Sequence, residues 1–218
     1  MKARPPAPTS RSDLKPHTWP LPTRQRRTKA PPSYAANGYL TVIPDIFNGD
    51  PVPLNRPENF DFPKWMAGGS TGDNPHGPEQ IDEIVVRAIE WLKKEHGITK
   101  IASSGYCLGA KYVARHFKDG ISVGYFAHPS YVTEDELKGF QGPLSIAAAE
   151  TDQIFTKPLR DLSEVVLKES GNPYQINLYS GTEHGFSVRA DLSKKHARFA
   201  KEQAFIQAVT WFDTWLLE

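Results

Sequence analysis

The stretch Gly105-Tyr106-Cys107-Leu108-Gly109 carries most of the information about the fold of this chain. The apolar segment before it, residues 98–104, has the composition of a short buried strand, and residues 110–117 after it have that of a helix. A strand, a sharp turn and a helix form the context of a nucleophile elbow, where glycines permit the turn and expose the central side chain. Cys107 is the only cysteine of the 218 residues. The motif therefore predicts a thiol nucleophile, whereas a lone cysteine outside such a turn is more often simply buried.

Strands and helices alternate on both sides of this turn. Apolar segments predict strands, and apolar residues spaced three and four apart predict helices. The predicted strands are residues 39–44, 98–104, 121–127, 144–149 and 174–179, and the predicted helices are 78–96, 110–117, 134–138, 158–170 and 196–217. This order is typical of an α/β protein with a mainly parallel sheet covered by helices on both faces.

Three chemically reactive side chains each follow a predicted strand. Cys107 comes first, Asp152 follows residues 144–149, and His184 follows residues 174–179. In open parallel sheets the functional groups lie at the carboxyl ends of the strands. The order nucleophile, acid, histidine is that of α/β-hydrolase triads. Glu150 is the competing acid, and a carboxylate at a strand end is often only a turn former.

The three residues have complementary chemistry. An ordinary thiol with a pKa of about 8.5 is mostly protonated at neutral pH, so it needs a base or a positive potential beside it. His184 is the candidate base, and the amino end of the following helix adds a favourable dipole. Asp152 would fix the imidazole tautomer, and the backbone N–H of Leu108 would be one of two oxyanion donors.

Other polar residues have less specific patterns. Tyr106 beside the nucleophile and Arg189 after His184 are the candidates for substrate binding; Arg189 could equally be a surface residue. His128 follows a predicted strand and is interpreted as a hydrogen-bonded loop residue rather than a pocket residue. No metal-ligand spacing and no glycine-rich phosphate loop occur in the sequence, so neither a metal nor a cofactor is predicted.

The first 33 residues differ from the rest. They contain eight Lys/Arg and one acid, a net charge of +7, while the remainder carries −6, and they hold eight of the nineteen prolines. We predict a disordered basic tail over residues 1–33 and one domain over 34–218. The scattered charges do not favour a nucleic-acid site, and the prolines oppose an amphipathic transit peptide.

No apolar run approaches the roughly 18 residues of a membrane span, and a lone cysteine suits a reducing compartment, so a cytoplasmic protein is expected.

Residues 45–78 are rich in Gly, Pro and Asn and are predicted to form a long irregular loop. A loop of this length in a compact domain is usually functional, so we expect it to act as a lid and to determine specificity.

The sequence resembles the dienelactone hydrolase family, and within it the fungal branch. The likeness rests on segments 37–50, 105–112, 127–130, 146–152 and 175–186, which include Gly-Tyr-Cys-Leu-Gly, Ala-His-Pro-Ser and Thr-Glu-His-Gly-Phe. The resemblance implies an α/β-hydrolase fold, Cys107 as nucleophile, Asp152 as acid and His184 as base, and hydrolysis of a small lactone or ester. It also implies that Arg189 holds a substrate carboxylate.

The amino-terminal segment departs from the family pattern. Members begin with further strands, and a loop after an early strand supplies the second oxyanion N–H. Residues 1–33 match none of this. We therefore expect a sheet that lacks amino-terminal strands and an oxyanion hole that lacks one donor.

The sequence is compatible with several functions. The first is a cysteine hydrolase that opens a small lactone or ester through an acyl-enzyme. The second is a catalytically impaired relative that binds or senses a small molecule. A thioesterase or another hydrolase of a secondary-metabolite pathway is a third, and a peptidase is the least favoured.

Overall fold

The computed structural model describes residues 34–52 and 57–216, and its centre is a parallel sheet of four strands in the order β1-β2-β3-β4. The strands are β1 (Ala102–Tyr106), β2 (Val123–Ala127), β3 (Leu144–Thr151) and β4 (Tyr174–Glu183). Each consecutive pair is joined by a crossover that contains helix, as parallel strands require. The predicted α/β class with a mainly parallel sheet is confirmed.

Seven α-helices occur in the described part of the chain. They are α1 (Phe62–Gly68), α2 (Pro78–His96), α3 (Gly109–Arg115), α4 (Glu134–Lys138), α5 (Lys157–Ser170), α6 (Phe186–Arg189) and α7 (Lys195–Trp215). Local sequence explains several of their ends. Thr133 and Glu136 form a reciprocal capping box at the start of α4, and Gly97 ends α2 with a φ of 62°. The helices predicted from periodicity are all present, and residue 217 of the last one lies outside the described residues.

Apolar side chains cover both faces of the sheet. On one face, Phe126 and Ile146 pack with α2, α3, α4 and α5. On the other, Tyr125 and Ala147 pack against α7. Adjacent strand residues point to opposite faces, so the near-continuous apolar strands are the expected pattern for a sheet buried on both sides.

Several strand boundaries differ from the prediction: β2 begins at Val123, β3 ends at Thr151, and the largest differences are in β1 and β4. Residues 98–101 are not in β1, which instead runs to Tyr106 because that residue still pairs with Ala127 of β2. Ile101 is buried in the core although it lies in the loop before β1, which explains why this position is apolar. β4 extends to Glu183, because Thr151 pairs with Glu183 beyond a register shift. Both extensions bring strand ends directly to the predicted functional residues.

The strand predicted for residues 39–44 is wrong. These residues follow a 3₁₀ helix (Tyr34–Asn37) and form neither helix nor strand. Leu40 is 58% exposed and Ile43 is 85% exposed. β-branched residues favour a strand only where a neighbouring strand and a packed face exist, and this segment has no strand partner within the described residues.

The region predicted as an irregular loop contains α1 and a small aromatic cluster. Trp65 is 3% exposed and His76 is 1% exposed, and both pack with Phe47. The Asp50 carboxylate accepts from the Ser70 backbone N–H and lies 3.0 Å from His76 Nε2. Residues 53–56 are not described. The region is therefore tied together over most of its length, and its role as a lid stays a prediction.

The predicted tail, residues 1–33, lies outside the described residues. None of the helices in the described part combines the length and apolar character needed to cross a membrane.

Candidate active site

The elbow places Cys107 in a left-handed backbone conformation, with a φ of 53°. This conformation is uncommon for a residue with a side chain, and here the neighbouring strand and helix hold it. The Cys107 N–H donates to the Ala127 carbonyl at 3.1 Å, and its own carbonyl accepts from Ala110 and Ser130. A Cβ at Gly105 would lie 2.4 Å from the backbone of Ala110, so only glycine fits where the strand meets the helix.

Asp152 and His184 lie side by side because the strands that carry them are paired to their ends. Thr151 pairs with Glu183, and the next residue on each strand is Asp152 or His184. His184 Nδ1 lies 2.8 Å from Asp152 Oδ2. Asp152 Oδ1 accepts from the backbone N–H groups of Ile154 and Phe155. The carboxylate is therefore fixed on both oxygens, and its side chain is fully buried.

The second imidazole nitrogen faces the thiol. His184 Nε2 lies 3.2 Å from Cys107 Sγ, so a continuous line of contacts joins thiol, imidazole and carboxylate. The structure thus brings together the three residues that the sequence suggested. Glu150, the alternative acid, points elsewhere and accepts from the Gly181 N–H at 2.7 Å.

Electrostatics favour a charged thiol–imidazole pair. Burial raises the pKa of Cys107, but hydrogen bonds from His184, Ser130 and the Leu108 N–H outweigh burial, and the net pKa is lowered. Burial lowers the pKa of His184, but Asp152 and the thiolate outweigh it and raise the pKa to about 9. Burial raises the pKa of Asp152, and bonds from His184 and the Phe155 and Ile154 N–H groups bring it below its usual value. All three directions favour thiolate, imidazolium and carboxylate.

Two residues of the loop after β2 complete the surroundings. Ser130 is fully buried, with its hydroxyl 3.3 Å from Cys107 Sγ and 3.4 Å from His184 Nε2. His128 is 1% exposed, and its Nε2 lies 2.7 Å from the Ser187 hydroxyl. Its ring packs edge-on against His184 with centroids 5.0 Å apart. Burial and the neighbouring His184 lower the pKa of His128 to about 3, so His128 is neutral.

Sequence reasoning gave Ser130 no role. The signal that could have found it is its position, because the Ala-His-Pro-Ser segment follows β2 at the same edge of the sheet as Cys107, Asp152 and His184.

The two predicted substrate-binding residues have different surroundings. The Tyr106 hydroxyl is 2.9 Å from that of Tyr34, and burial raises the Tyr106 pKa. Arg189 is exposed, and its Nη2 donates to the His184 carbonyl at 3.3 Å. Tyr106 is therefore directed toward the core on the α7 face, while the Arg189 guanidinium is accessible beside the histidine loop.

No cluster of three His, Cys, Asp or Glu side chains suited to a metal ion occurs in residues 34–52 and 57–216. The thiol, imidazole and carboxylate of the site are partnered with one another.

Comparison with known proteins places the chain in a family. The sequence model of the dienelactone hydrolase family matches residues 26–216. The chain belongs to the dienelactone hydrolase family. It is accordingly a hydrolase of the class that acts on esters and lactones, and the predicted α/β-hydrolase fold is confirmed.

Fungal proteins are among the similar members of this family. The chain is 49% identical to hydrolase tropI of Talaromyces stipitatus over 188 residues, which cover 85% of this chain and 74% of that protein. It is 46% identical to hydrolase pyvD of Aspergillus violaceofuscus, covering 84% and 72% of the two chains. Dienlactone hydrolase 1 of Gibberella moniliformis is 33% identical, with 84% and 71% covered.

Solved structures agree on the fold. A Klebsiella pneumoniae structure assigned as a dienelactone hydrolase superposes with a TM-score of 0.56 at 13% identity, covering 72% of this chain and 69% of that one. An esterase from Pyrococcus furiosus gives a TM-score of 0.51 at 12% identity, with 63% and 62% covered. At these identities the likeness extends to the fold alone.

Proposed function

We propose that this protein hydrolyses a small lactone or ester through a Cys107–His184–Asp152 triad and an acyl-enzyme. The observation that carries the proposal is the line of contacts from Cys107 Sγ through His184 to Asp152, at 3.2 and 2.8 Å. These distances suit proton transfer between nucleophile and base and orientation of the base by an acid. Family membership supports the same chemistry.

The reaction begins with attack of the thiolate on the carbonyl carbon of the substrate. The negative charge that develops on the carbonyl oxygen would be stabilised by the Leu108 N–H, whose amide already faces the sulfur. His184, held as imidazolium by Asp152, then gives its proton to the leaving oxygen, and the C–O bond breaks to leave a thioester on Cys107.

The second half of the cycle uses water. Neutral His184 removes a proton from the water molecule as it attacks the thioester carbonyl, and the thiolate leaves as the C–S bond breaks. The product is a carboxylic acid, and the thiolate–imidazolium pair returns. In this scheme His128 takes no proton, because it is neutral and its Nε2 is engaged by Ser187.

Arg189 is proposed to hold an anionic group of the substrate. Its guanidinium is exposed and anchored by one nitrogen to the His184 carbonyl, which leaves other donors of the planar group for a carboxylate. Tyr106 would act indirectly, because its hydroxyl is bonded to Tyr34.

The single cysteine makes the proposal simple to test. Turnover of p-nitrophenyl acetate and of small lactones should fall in proportion to alkylation of the protein by iodoacetamide, because Cys107 is the only thiol. Cys107→Ala should lose about 10⁴-fold or more in turnover. Unchanged turnover after complete alkylation would overturn the proposed function.

A second candidate is a relative with impaired catalysis that binds a small molecule. The observation favouring it is that β1 is an edge strand in the described sheet, so no described strand beside β1 carries a loop with the second oxyanion donor. Loss of one donor costs roughly 10²–10³ in turnover in comparable enzymes. Saturable binding of lactones to folded protein that shows no turnover on a wide ester panel would favour this candidate. The secondary-metabolite role and the thioesterase activity stay predictions, which a thioester panel would address.

A further inference from the structure

The side chain of Ser130 contacts both members of the thiol–imidazole pair. Its Oγ lies 3.3 Å from Cys107 Sγ and 3.4 Å from His184 Nε2, and the residue is 0% exposed. Its backbone N–H donates to the Cys107 carbonyl at 3.0 Å. Ser130 is therefore attached to the elbow by both its main chain and its hydroxyl.

The loop that carries Ser130 is held in an unusual conformation. His128, two residues before Ser130, and Tyr131, directly after it, have left-handed φ values of 37° and 59°. Such values cost energy for residues with a side chain and persist only where the surroundings fix them. The His128 N–H donates to the Ala147 carbonyl, and its ring bonds Ser187, so β3 and α6 both restrain the loop. The hydroxyl is thereby fixed beside the thiol.

The strength of the hydrogen bonds that Ser130 can make shows which charge state this arrangement supports. A hydroxyl has one proton to donate and lone pairs that accept. In the charged pair, the thiolate only accepts and imidazolium Nε2–H donates, so Ser130 can donate to Sγ and accept from Nε2 at once. In the neutral pair, Asp152 accepts from Nδ1–H, and Ser130 can instead donate to Nε2 and accept from the thiol, so both charge states offer the hydroxyl two hydrogen bonds. Hydrogen bonds to charged groups are roughly twice as strong as those between neutral groups, so the same hydroxyl stabilises the charged pair more than the neutral pair.

We propose that Ser130 is a positioning residue that stabilises the thiolate–imidazolium pair through a bridging hydroxyl. It touches no substrate in this account and forms no covalent bond. The inference rests on the proposed function, since it assigns a supporting partner to that nucleophile. The other titratable or charged groups around the pair are Asp152, His128, Tyr106 and Arg189, and substitution of Ser130 removes none of them.

The test is the pH dependence of Cys107 alkylation in the native protein. Ser130→Ala should raise the apparent thiol pKa by about one unit, so that alkylation near pH 6 slows by about tenfold. At about pH 10 both proteins are fully thiolate and should react at similar rates. A purely structural effect of the substitution would change the rate at all pH values without moving the midpoint.

Two further variants isolate the hydroxyl. Ser163→Ala removes another buried hydroxyl, one that bonds Leu159 in α5 and contacts neither Cys107 nor His184, and it should leave the midpoint unchanged. Ser130→Thr keeps the hydroxyl and should stay close to the wild-type midpoint. Circular dichroism establishes that each variant is folded, and Ser130→Gly removes the same group if Ser130→Ala does not fold.

The outcome separates this inference from the proposed function. A Ser130→Ala midpoint equal to that of wild type would overturn the role of Ser130, whatever the activity of the protein. Retained turnover in Cys107→Ala would overturn the nucleophile, whatever the thiol titration. Alkylation needs no substrate, so the two results are independent.

Discussion

The carboxyl edge of the sheet and the segment before α2 contrast in how their sequences relate to their structure. From β1 to α6, short apolar segments become paired strands, and the polar residue after each strand lies at one site. In residues 39–44, an equally β-branched segment forms no strand and leaves Ile43 85% exposed. The difference shows that apolar pattern specifies a strand only when the neighbouring strands are present to pair with it.

The largest expected effect is on the base. His184→Gln should lower turnover by about 10⁴-fold, because Gln cannot deprotonate the thiol or protonate the leaving group. Initial rates with p-nitrophenyl acetate at saturating substrate measure it. His96→Gln, at the end of α2, is the matched control and should retain wild-type turnover. Comparable losses of turnover in both variants would show that the effect is not specific to His184 and would contradict its role as the base.

A smaller loss is expected from the acid. Asp152→Asn should lower turnover by about 10³-fold, because it removes the charge that orients and stabilises imidazolium. Glu150→Gln tests the competing carboxylate, which bonds the Gly181 N–H instead of His184, and should change turnover little. The reverse ranking of the two variants would place the acid at Glu150.

Equivalent substitutions in the two regions should differ in their effect on the free energy of unfolding. Ile146→Ala should lower the free energy of unfolding by about 2–5 kcal/mol, because Ile146 is 1% exposed in the core. Ile43→Ala removes the same atoms from an exposed site and should change it by less than about 0.5 kcal/mol. Urea unfolding followed by circular dichroism measures both. A large loss in Ile43→Ala would show that residues 39–44 are packed after all.

The two glycines of the elbow should also differ. Gly105→Ala places a Cβ 2.4 Å from Ala110 backbone atoms and should destabilise the protein by about 1–3 kcal/mol. Gly109→Ala meets no atom within 4 Å and improves helix propensity, so its stability should be unchanged or slightly higher. Thermal unfolding of the pair measures the difference, and equal melting temperatures would contradict the close approach of β1 to α3.

The smallest effect is the pH dependence of stability. The pKa of His184 is raised in the folded protein. Its contribution to the free energy of unfolding is therefore present below about pH 6.5 and is lost as the pH rises through about 9. The pKa of Cys107 is lowered in the folded protein. Its contribution to the free energy of unfolding is therefore present above about pH 8.5 and is lost as the pH falls through the pKa of the folded protein. The stability difference between wild type and Cys107→Ser should therefore be greatest between about pH 6.5 and 8.5 and decrease by on the order of 1 kcal/mol on either side. A difference independent of pH in urea unfolding would indicate no coupling between thiol and imidazole.

Much of the fold and of the site could be predicted because the signals are local. The elbow, the helix periodicities and the residues after the strands gave Cys107, Asp152 and His184, which the structure brings together. Ser130 was missed although its position after β2 places it at this edge of the sheet, because no motif marks it and its contact with Cys107 spans 23 positions of sequence. The extension of β4 was hidden because residues 180–183 are polar and include Gly181, which has a φ of 63°, and Glu183 pairs with Thr151 beyond a register shift. The failure at 39–44 has the same cause in reverse, since that apolar segment has no strand partner among residues 34–52 and 57–216.

The most direct test of the central claim is to trap the acyl group. Rapid mixing with p-nitrophenyl acetate, acid quenching and peptide mass mapping should find one acetyl group on the peptide that contains Cys107, with a burst of nitrophenol close to one equivalent. The acetyl group should be absent in Cys107→Ala and should accumulate in Asp152→Asn if water attack slows more than acylation. Turnover that proceeds with no acetyl group on Cys107, or with the group on another residue, would contradict the account.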